Sequence, residues 1–236
     1  MPKGDTTFWN ANACTLKDDG LFTCFCYYGC SREEMLAALD KRQGADVVRK
    51  LQAATVAVCG LGGLGSNIAI SLARAGVGKL ILVDFDCVDV TNLHRQQYKA
   101  SQVGLPKPEA LLANLKEIAP YTEFEIHFEK VTEENVSSLL AHADVVCEAF
   151  DNAEAKAMLV NTVLETMPEK FLVAASGMSG YESGNAITAR KVTKRFYICG
   201  DGKSDVNDGI GLIAPRVMLC AAHQALTAIR LILGLE

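Results

Sequence analysis

The chain has 236 residues, half of them hydrophobic and 22% charged, which is ordinary for a folded globular protein and excludes a disordered or fibrous one. Its net charge of -5 supplies no general attraction to nucleic acid or to an anionic membrane, so neither is an expected partner. Nine cysteines without paired spacing and an N-terminus lacking a basic segment followed by an apolar core make the reducing cytosol the simplest compartment.

The first 30 residues show little periodicity, hold four cysteines and read as an N-terminal extension, leaving 31–236 as the main domain. Residues 31–51 read as a helical lead-in. From Thr55 onward, short β-branched runs alternate with longer helical ones, the arrangement that builds a parallel sheet with crossover helices. A strand over Thr55–Cys59 runs into a glycine loop and a helix over about Ser66–Ala75, with Leu64, Ile68 and Leu72 at helical spacing and Gly76 and Gly78 as the stop. The next strand is Leu80–Asp84. A helix carrying Leu111, Leu112, Leu115 and Ile118 ends at Pro120, and Phe124, Ile126 and Phe128 alternate with polar and charged residues as a strand. Thr132–Ala141 reads as a helix, Asp144–Phe150 as a strand, Ala153–Met167 as a helix and Phe171–Ala175 as the strand completing the parallel series. Asn185–Ile198 reads as extended hairpin material and Gly200–Gly211 as a long loop of the kind that serves as a flap or crossover. The most apolar stretch, Ile213–Leu235, is interrupted by Pro215, Arg216, His223, Gln224 and Arg230 and reads as a buried helix, not a membrane span. The fold class is α/β: a Rossmann-like, mostly parallel sheet with crossover helices and a C-terminal antiparallel extension.

Gly60, Gly62 and Gly65 form a G-x-G-x-x-G loop directly after a strand and opening a helix, with Gly63 as a further small residue. Glycine lets a phosphate approach the backbone N–H groups and the positive end of the helix; the bland reading is a tight turn that binds nothing. Asp84 ends the following strand, where a carboxylate accepts hydrogen bonds from ribose hydroxyls. Taken only this far, the chain reads as an NAD-dependent dehydrogenase. Asn92, Arg95, Gln96 and Lys107 oppose that reading, because the outer phosphates of ATP need cationic side chains more than a dinucleotide pyrophosphate does. Either cation alone would read as part of a solvated loop.

The ordered set Gly60-Leu-Gly-Gly-Leu-Gly65, Asp84-Phe-Asp86, Asn92-Leu-His-Arg95-Gln96, Gly104-x-x-Lys107 and Asp151-Asn152 resembles the ThiF, MoeB and HesA family, whose fold also underlies the ubiquitin-activating enzymes. Within that family, Phe196–Gly202 and Ala214–Gln224 are most similar to the shorter ThiF group. The resemblance implies an ATP-dependent adenylyltransferase that activates the C-terminal carboxylate of a ubiquitin-like sulfur-carrier protein ending in Gly-Gly, of the thiamine pathway first and the molybdopterin pathway next. It implies that Asp84, with Asp86 beside it, binds the ribose, that Arg95 and Lys107 hold the triphosphate, and that Asn92 and Gln96 orient them. It further implies that Asp151 holds Mg²⁺, that the protein is a homodimer, and that Arg42 completes the partner subunit's site.

Asp151 also ends a parallel strand, where open α/β sheets gather ligands, or serves as a cap for the helix beginning at Ala153. Cys199, before the flexible-looking loop, is the candidate thiol for a sulfur-transfer step, against its reading as a small apolar residue at a strand end. The longer relatives bind structural zinc through two C-x-x-C pairs; this chain has only Cys199 and Cys220 in that half, which argues against zinc. Cys14, Cys24, Cys26 and Cys30 have a weak metal spacing. Three other readings remain: a tRNA-modifying cyclase of the same family, the dehydrogenase, and a non-catalytic nucleotide-binding scaffold.

Overall fold

The computed structural model describes residues 14–16, 22–24, 29–205 and 211–236 of the chain. The chain divides into two compact units, Met1–Ala37 and Ala38–Glu236. In the first, β1 (Cys14–Leu16) and β2 (Phe22–Cys24) pair antiparallel with Cys14 opposite Cys24. Ser31 and Glu34 then cap helix α1 (Arg32–Gln43) reciprocally: the Glu34 amide donates to Ser31 Oγ at 3.1 Å and the Ser31 amide to Glu34 Oε2 at 2.7 Å. Cys26, one member of the N-terminal cysteine set, lies outside the described residues.

The helical lead-in is two helices, not one. Gly44, with φ of 93°, separates α1 from α2 (Ala45–Ala53) by adopting a backbone that other residues resist. Beyond it the chain builds a seven-stranded sheet from β3 (Thr55–Cys59), β4 (Lys79–Asp84), β5 (Glu123–Phe128), β6 (Val145–Glu148), β7 (Phe171–Ala175), β8 (Thr188–Lys191) and β9 (Phe196–Gly200), in the order β5-β4-β3-β6-β7-β9-β8. Every neighbouring pair is parallel except β8 with β9. β3, β4, β6 and β7 are apolar on consecutive residues because both faces of the sheet are covered.

One face packs under α2, α3 (Gly63–Ala75), α4 (Lys107–Ile118) and α7 (Ala214–Leu233), with Val56, Val58, Leu80 and Leu82 of the sheet meeting Leu64, Ile68, Leu72, Leu111 and Leu115. The other, holding Ala57, Ile81, Val83 and Val146, packs under α5 (Val136–Leu139) and α6 (Ala153–Thr166) through Leu139, Leu159 and Val163. The result is a three-layer α/β/α unit, in agreement with the fold class read from the sequence.

Three expectations are corrected. The helix read over Thr132–Ala141 is a single turn, because the Asn135 side chain accepts from the Thr132 amide and closes the preceding turn itself. Phe171–Ala175 does not complete the parallel series, since β9 pairs parallel beside it after a connection that contains no α-helix. The last helix does reach the length and hydropathy of a membrane span, yet half of that window is buried inside the protein, including Arg216, Gln224 and Thr227. It is a core helix by its packing rather than by interruptions in its sequence.

Candidate active site

The sheet order changes direction between β3 and β6: β4 and β5 extend outward on one side, then the chain returns and lays β6 and β7 on the other. The connections leaving the C-terminal ends of these strands diverge and leave a crevice, where open α/β sheets bind ligands. A cleft of about 1420 Å³ opens there.

Its floor is the glycine loop. Gly60 has φ of 89°, and a Cβ at that position would lie 2.8 Å from the Ala149 carbonyl oxygen. At Gly65 a Cβ would stand only 1.7 Å from the Gly60 carbonyl oxygen, so this glycine lets α3 begin directly against the turn. Gly65 therefore packs beneath the cleft, while Gly60, Gly62 and Gly63 line it. Gly62 is the N-cap of α3 and brings no side chain to the first helical turn. That leaves the positive end of α3 facing the cleft without a built-in anion.

At the β4 end, Asp84 is 6% exposed and accepts two backbone N–H bonds, from Leu61 at 2.6 Å and Asp86 at 2.8 Å. Burial pushes its carboxyl pKa up, with Lys107 and the two amides pulling against it. Lys107 is itself buried; its Nζ lies 2.7 Å from Asp86 Oδ2 and 4.0 Å from Asp84 Oδ2. The ammonium is thus committed to the acidic pair, and a phosphate must compete with Asp86 to recruit it.

Arg95 is held on a short segment bolted to α3. Asn67 donates to the Gly63 and Arg95 carbonyls at 2.6 and 3.2 Å, the Gln97 amide donates to Ser66 Oγ at 3.1 Å, and the Tyr98 hydroxyl donates to the Leu61 carbonyl at 2.7 Å. Asn92 Oδ1 accepts from Arg95 Nη2 at 3.2 Å and from Gln96 Nε2 at 3.0 Å, fixing both side chains. Gln96 Oε1 is buried with no hydrogen-bond partner among the described residues. Partial burial lowers the Arg95 pKa and the Asp151 carboxylate opposes that, so these two opposite charges sense each other across the cleft.

Asp151 is exposed on the cleft wall just past β6. It does not cap α6; Asn152 does, its side chain accepting from the Ala155 amide at 2.8 Å. Beneath Asp151 lies a pair absent from the sequence reading. Glu148 is fully buried, and its two oxygens take Lys156 Nζ at 2.8 and 2.6 Å while Oε1 also accepts the Phe150 amide at 2.8 Å. Burial pushes the Glu148 carboxyl up and Lys156 opposes it.

The far wall is residues 176–179, carried by a second missed device. Arg216, in the first turn of α7 and 3% exposed, donates from Nε to the Ser179 carbonyl at 3.0 Å and from Nη1 to the Glu182 and Ser183 carbonyls at 2.6 and 3.1 Å. Its Nη2 pairs with Asp201 Oδ2. An arginine in the first turn of a largely apolar helix was the available signal, because such a charge, when buried, needs a partner. Glu148 and Lys156 left a fainter trace, a carboxylate ending an apolar strand.

Two named candidates stand apart from the cleft. Cys199 is wholly buried in β9, its Sγ 3.8 Å from Thr227 Oγ1, and burial pushes its thiol up to about 11. A thiolate at that position is strongly disfavoured, so the placement corrects the expectation of a reactive Cys199. Arg42 is exposed on α1 and does not line the cleft of its own chain. Among the described residues no group of three His, Cys, Asp or Glu side chains is arranged to hold a metal. Asp151 nonetheless fits magnesium, which keeps several waters and takes one or two carboxylates beside phosphate oxygens.

The model of the ThiF family matches residues 33–236. The chain is 33% identical over 193 residues to the molybdopterin-synthase adenylyltransferase of Haemophilus influenzae, covering 78% of this chain and 77% of that protein. It is 32% identical over 200 residues to the adenylyltransferase and sulfurtransferase MOCS3 of Anopheles gambiae, of which it spans 43%. Among solved structures it is similar to the E. coli tRNA N6-threonylcarbamoyladenosine dehydratase TcdA in complex with ATP, with a TM-score of 0.78 at 21% identity, covering 88% of this chain and 98% of that one. The last likeness is one of fold.

Proposed function

The chain belongs to the ThiF family, and from that premise we propose that it is an ATP-dependent adenylyltransferase activating a carboxylate, with the C-terminal Gly-Gly of a ubiquitin-like sulfur-carrier protein as the substrate. The observation that carries the reading is the convergence, in one cleft at the switch point of the sheet, of the uncapped α3 terminus, the Asp84–Lys107 pair, Arg95 and Asp151. The unpartnered Gln96 Oε1 beside them is the kind of group a polar ligand satisfies.

Asp84 accepts from the ribose hydroxyls. The α3 terminus and Arg95 face the phosphates, and Lys107 is drawn from Asp86 toward them. A carboxylate oxygen of the carrier attacks the α-phosphorus, a new P–O bond forms, the bond to the bridging oxygen breaks, and its electrons leave with pyrophosphate. No side chain is needed as a nucleophile, so catalysis is positioning and charge neutralisation. A magnesium ion held by Asp151 and phosphate oxygens would neutralise charge on the departing pyrophosphate.

The resemblance of Phe196–Gly202 and Ala214–Gln224 to the shorter ThiF group supports the thiamine-pathway carrier; the 33% identity to a molybdopterin-synthase adenylyltransferase supports the molybdopterin-pathway carrier beside it. A second reading, activation of a nucleoside carboxylate on tRNA, is favoured by the likeness over 98% of the tRNA dehydratase's length. The protein acts as a homodimer in this proposal. In support, α7 leaves Met218, Leu219 and Leu226 exposed along one stripe, and Arg42 is free of its own cleft. The setting is cytoplasmic.

ATP/pyrophosphate exchange with a panel of Gly-Gly-ending carriers and with tRNA tests the assignment. A carrier from the panel is expected to stimulate exchange, and Arg95→Ala or Asp151→Ala is expected to abolish it in a folded protein. Exchange at the parental rate in either variant would sink the site, and stimulation by tRNA alone would replace the substrate.

A further inference from the structure

We propose that the ion pair between buried Glu148 and half-buried Lys156 is a positioning device that fixes Asp151 for the magnesium–nucleotide complex. The inference rests on the reading of Asp151 as the magnesium ligand.

The geometry is a clamp across the β6–α6 turn. Glu148 ends β6, and Lys156 lies eight residues on, in α6. The carboxylate holds the Phe150 amide at 2.8 Å, one residue before Asp151, and reaches the Ala175 amide at 3.5 Å at the end of β7. Lys156 ties α6 to both carboxylate oxygens, at 2.8 and 2.6 Å. On the other side of the turn, Gln224 of α7 donates to the Glu148 carbonyl at 2.9 Å and to the Val173 carbonyl at 3.2 Å. The Asp151 backbone is therefore fixed from the strand before it and, through Lys156 and the Asn152 cap, from the helix after it, while its side chain stays exposed on the cleft wall.

Packing alone does not call for this arrangement. Buried ion pairs are often replaced by apolar side chains of similar volume at no loss of stability, whereas fixing the geometry of a turn is a use that apolar contacts serve poorly. Lys156 lines the cleft as well, with its side chain 27% exposed, so the clamp stands immediately behind the proposed metal ligand. Groups that orient a metal ligand typically change metal affinity or activity about tenfold to a hundredfold when removed.

The test is ATP affinity measured by calorimetry in EDTA and at rising MgCl₂, which needs neither the carrier nor turnover. The parental protein is expected to bind ATP more tightly with magnesium, and Asp151→Ala to lose that gain. Lys156→Met is expected to lose about tenfold or more of the gain, read as the ratio of its affinities with magnesium and in EDTA, and Lys156→Arg to recover most of it. Because Lys156→Met strands a buried carboxylate and risks unfolding, Glu148→Gln/Lys156→Met is measured alongside it: the neutral amide keeps an acceptor for Phe150 and removes the uncompensated charge. A role confined to stability would lower the melting temperature and leave the magnesium gain of the folded protein intact. Retention of the full gain in both Lys156→Met and the double variant, while Asp151→Ala abolishes it, overturns the inference and leaves the proposed function standing. No magnesium gain in the parental protein removes the premise and the inference with it.

Discussion

Replacing Arg216 with Met tests how the far wall of the cleft is held. The substitution keeps the apolar stem but removes the donors to the Ser179, Glu182 and Ser183 carbonyls, and it leaves Asp201 without its cation. Removing one partner of a buried ion pair costs about 3–5 kcal/mol, and the stranded carbonyls belong to the same network, so the penalties overlap rather than add. In a domain of this size each kcal/mol shifts Tm by about 2–4 °C, which puts the expected loss at about 6–20 °C by circular dichroism. The pH dependence adds a second handle. Burial alone would raise the Asp201 carboxyl, but the Ser204 and Lys203 amides, the Ser204 hydroxyl and Arg216 outweigh it and hold the pKa at about 2, below its ordinary 3.8. Its folded value is therefore depressed. The stabilisation is fully present above 3.8 and is lost as pH falls from there through about 2, an effect of about 2 kcal/mol. Arg216 is one of the four groups behind that shift, so urea unfolding curves of the parental protein and the variant should draw together by its share as pH falls from about 4 towards about 2. A Tm within about 2 °C of the parental value at neutral pH would refute the reasoning, since it would mean that water already satisfies these groups.

Two further expectations separate the fold from the site. Gly65→Ala places a methyl 1.7 Å from the Gly60 carbonyl and should fail to give folded protein, whereas at Gly62 a Cβ meets nothing closer than Gln96 Nε2 at 3.7 Å. Gly62→Ala should thus fold, with Tm within about 4 °C of the parent, and lose at least about tenfold in ATP affinity because the methyl occupies the phosphate approach; unchanged affinity would move the phosphates away from α3. With a thiol-alkylating reagent at pH 8 followed by mass spectrometry, exposed Cys87 should label in the native protein. Cys199 and Cys220, buried and pushed up to about 11 and about 12, should label only on unfolding. Native labelling of Cys199 as fast as Cys87 would restore it as a candidate for chemistry.

The central strands were legible because β3, β4, β6 and β7 are buried on both faces and so appear as unbroken apolar runs. The glycine loop and Asp84 were legible because their spacing is local to one β-α-β unit. β9 was legible as hairpin material but not as a neighbour of β7, since no helical pattern announces a crossover between them and the parallel pairing exists only in three dimensions. Nor was the single turn at Val136–Leu139, where one asparagine side chain outcompetes a reasonable helical pattern. Ten of the site residues named from the sequence, from Gly60 to Asp151, are among those that line the cleft. What the motifs omit is their support: Glu148 with Lys156 and Arg216 with Asp201 are pairings whose partners sit on different elements.

The route of α7 has a consequence for biosynthesis. This helix covers α3, supplies Val217 to the cleft, carries the arginine that ties down 179–183 and sends Gln224 to the end of β6 and the middle of β7. All of those elements leave the ribosome before it does. A nascent chain arrested ahead of Ala214 therefore presents a partly uncovered sheet and a cleft without its α7 wall.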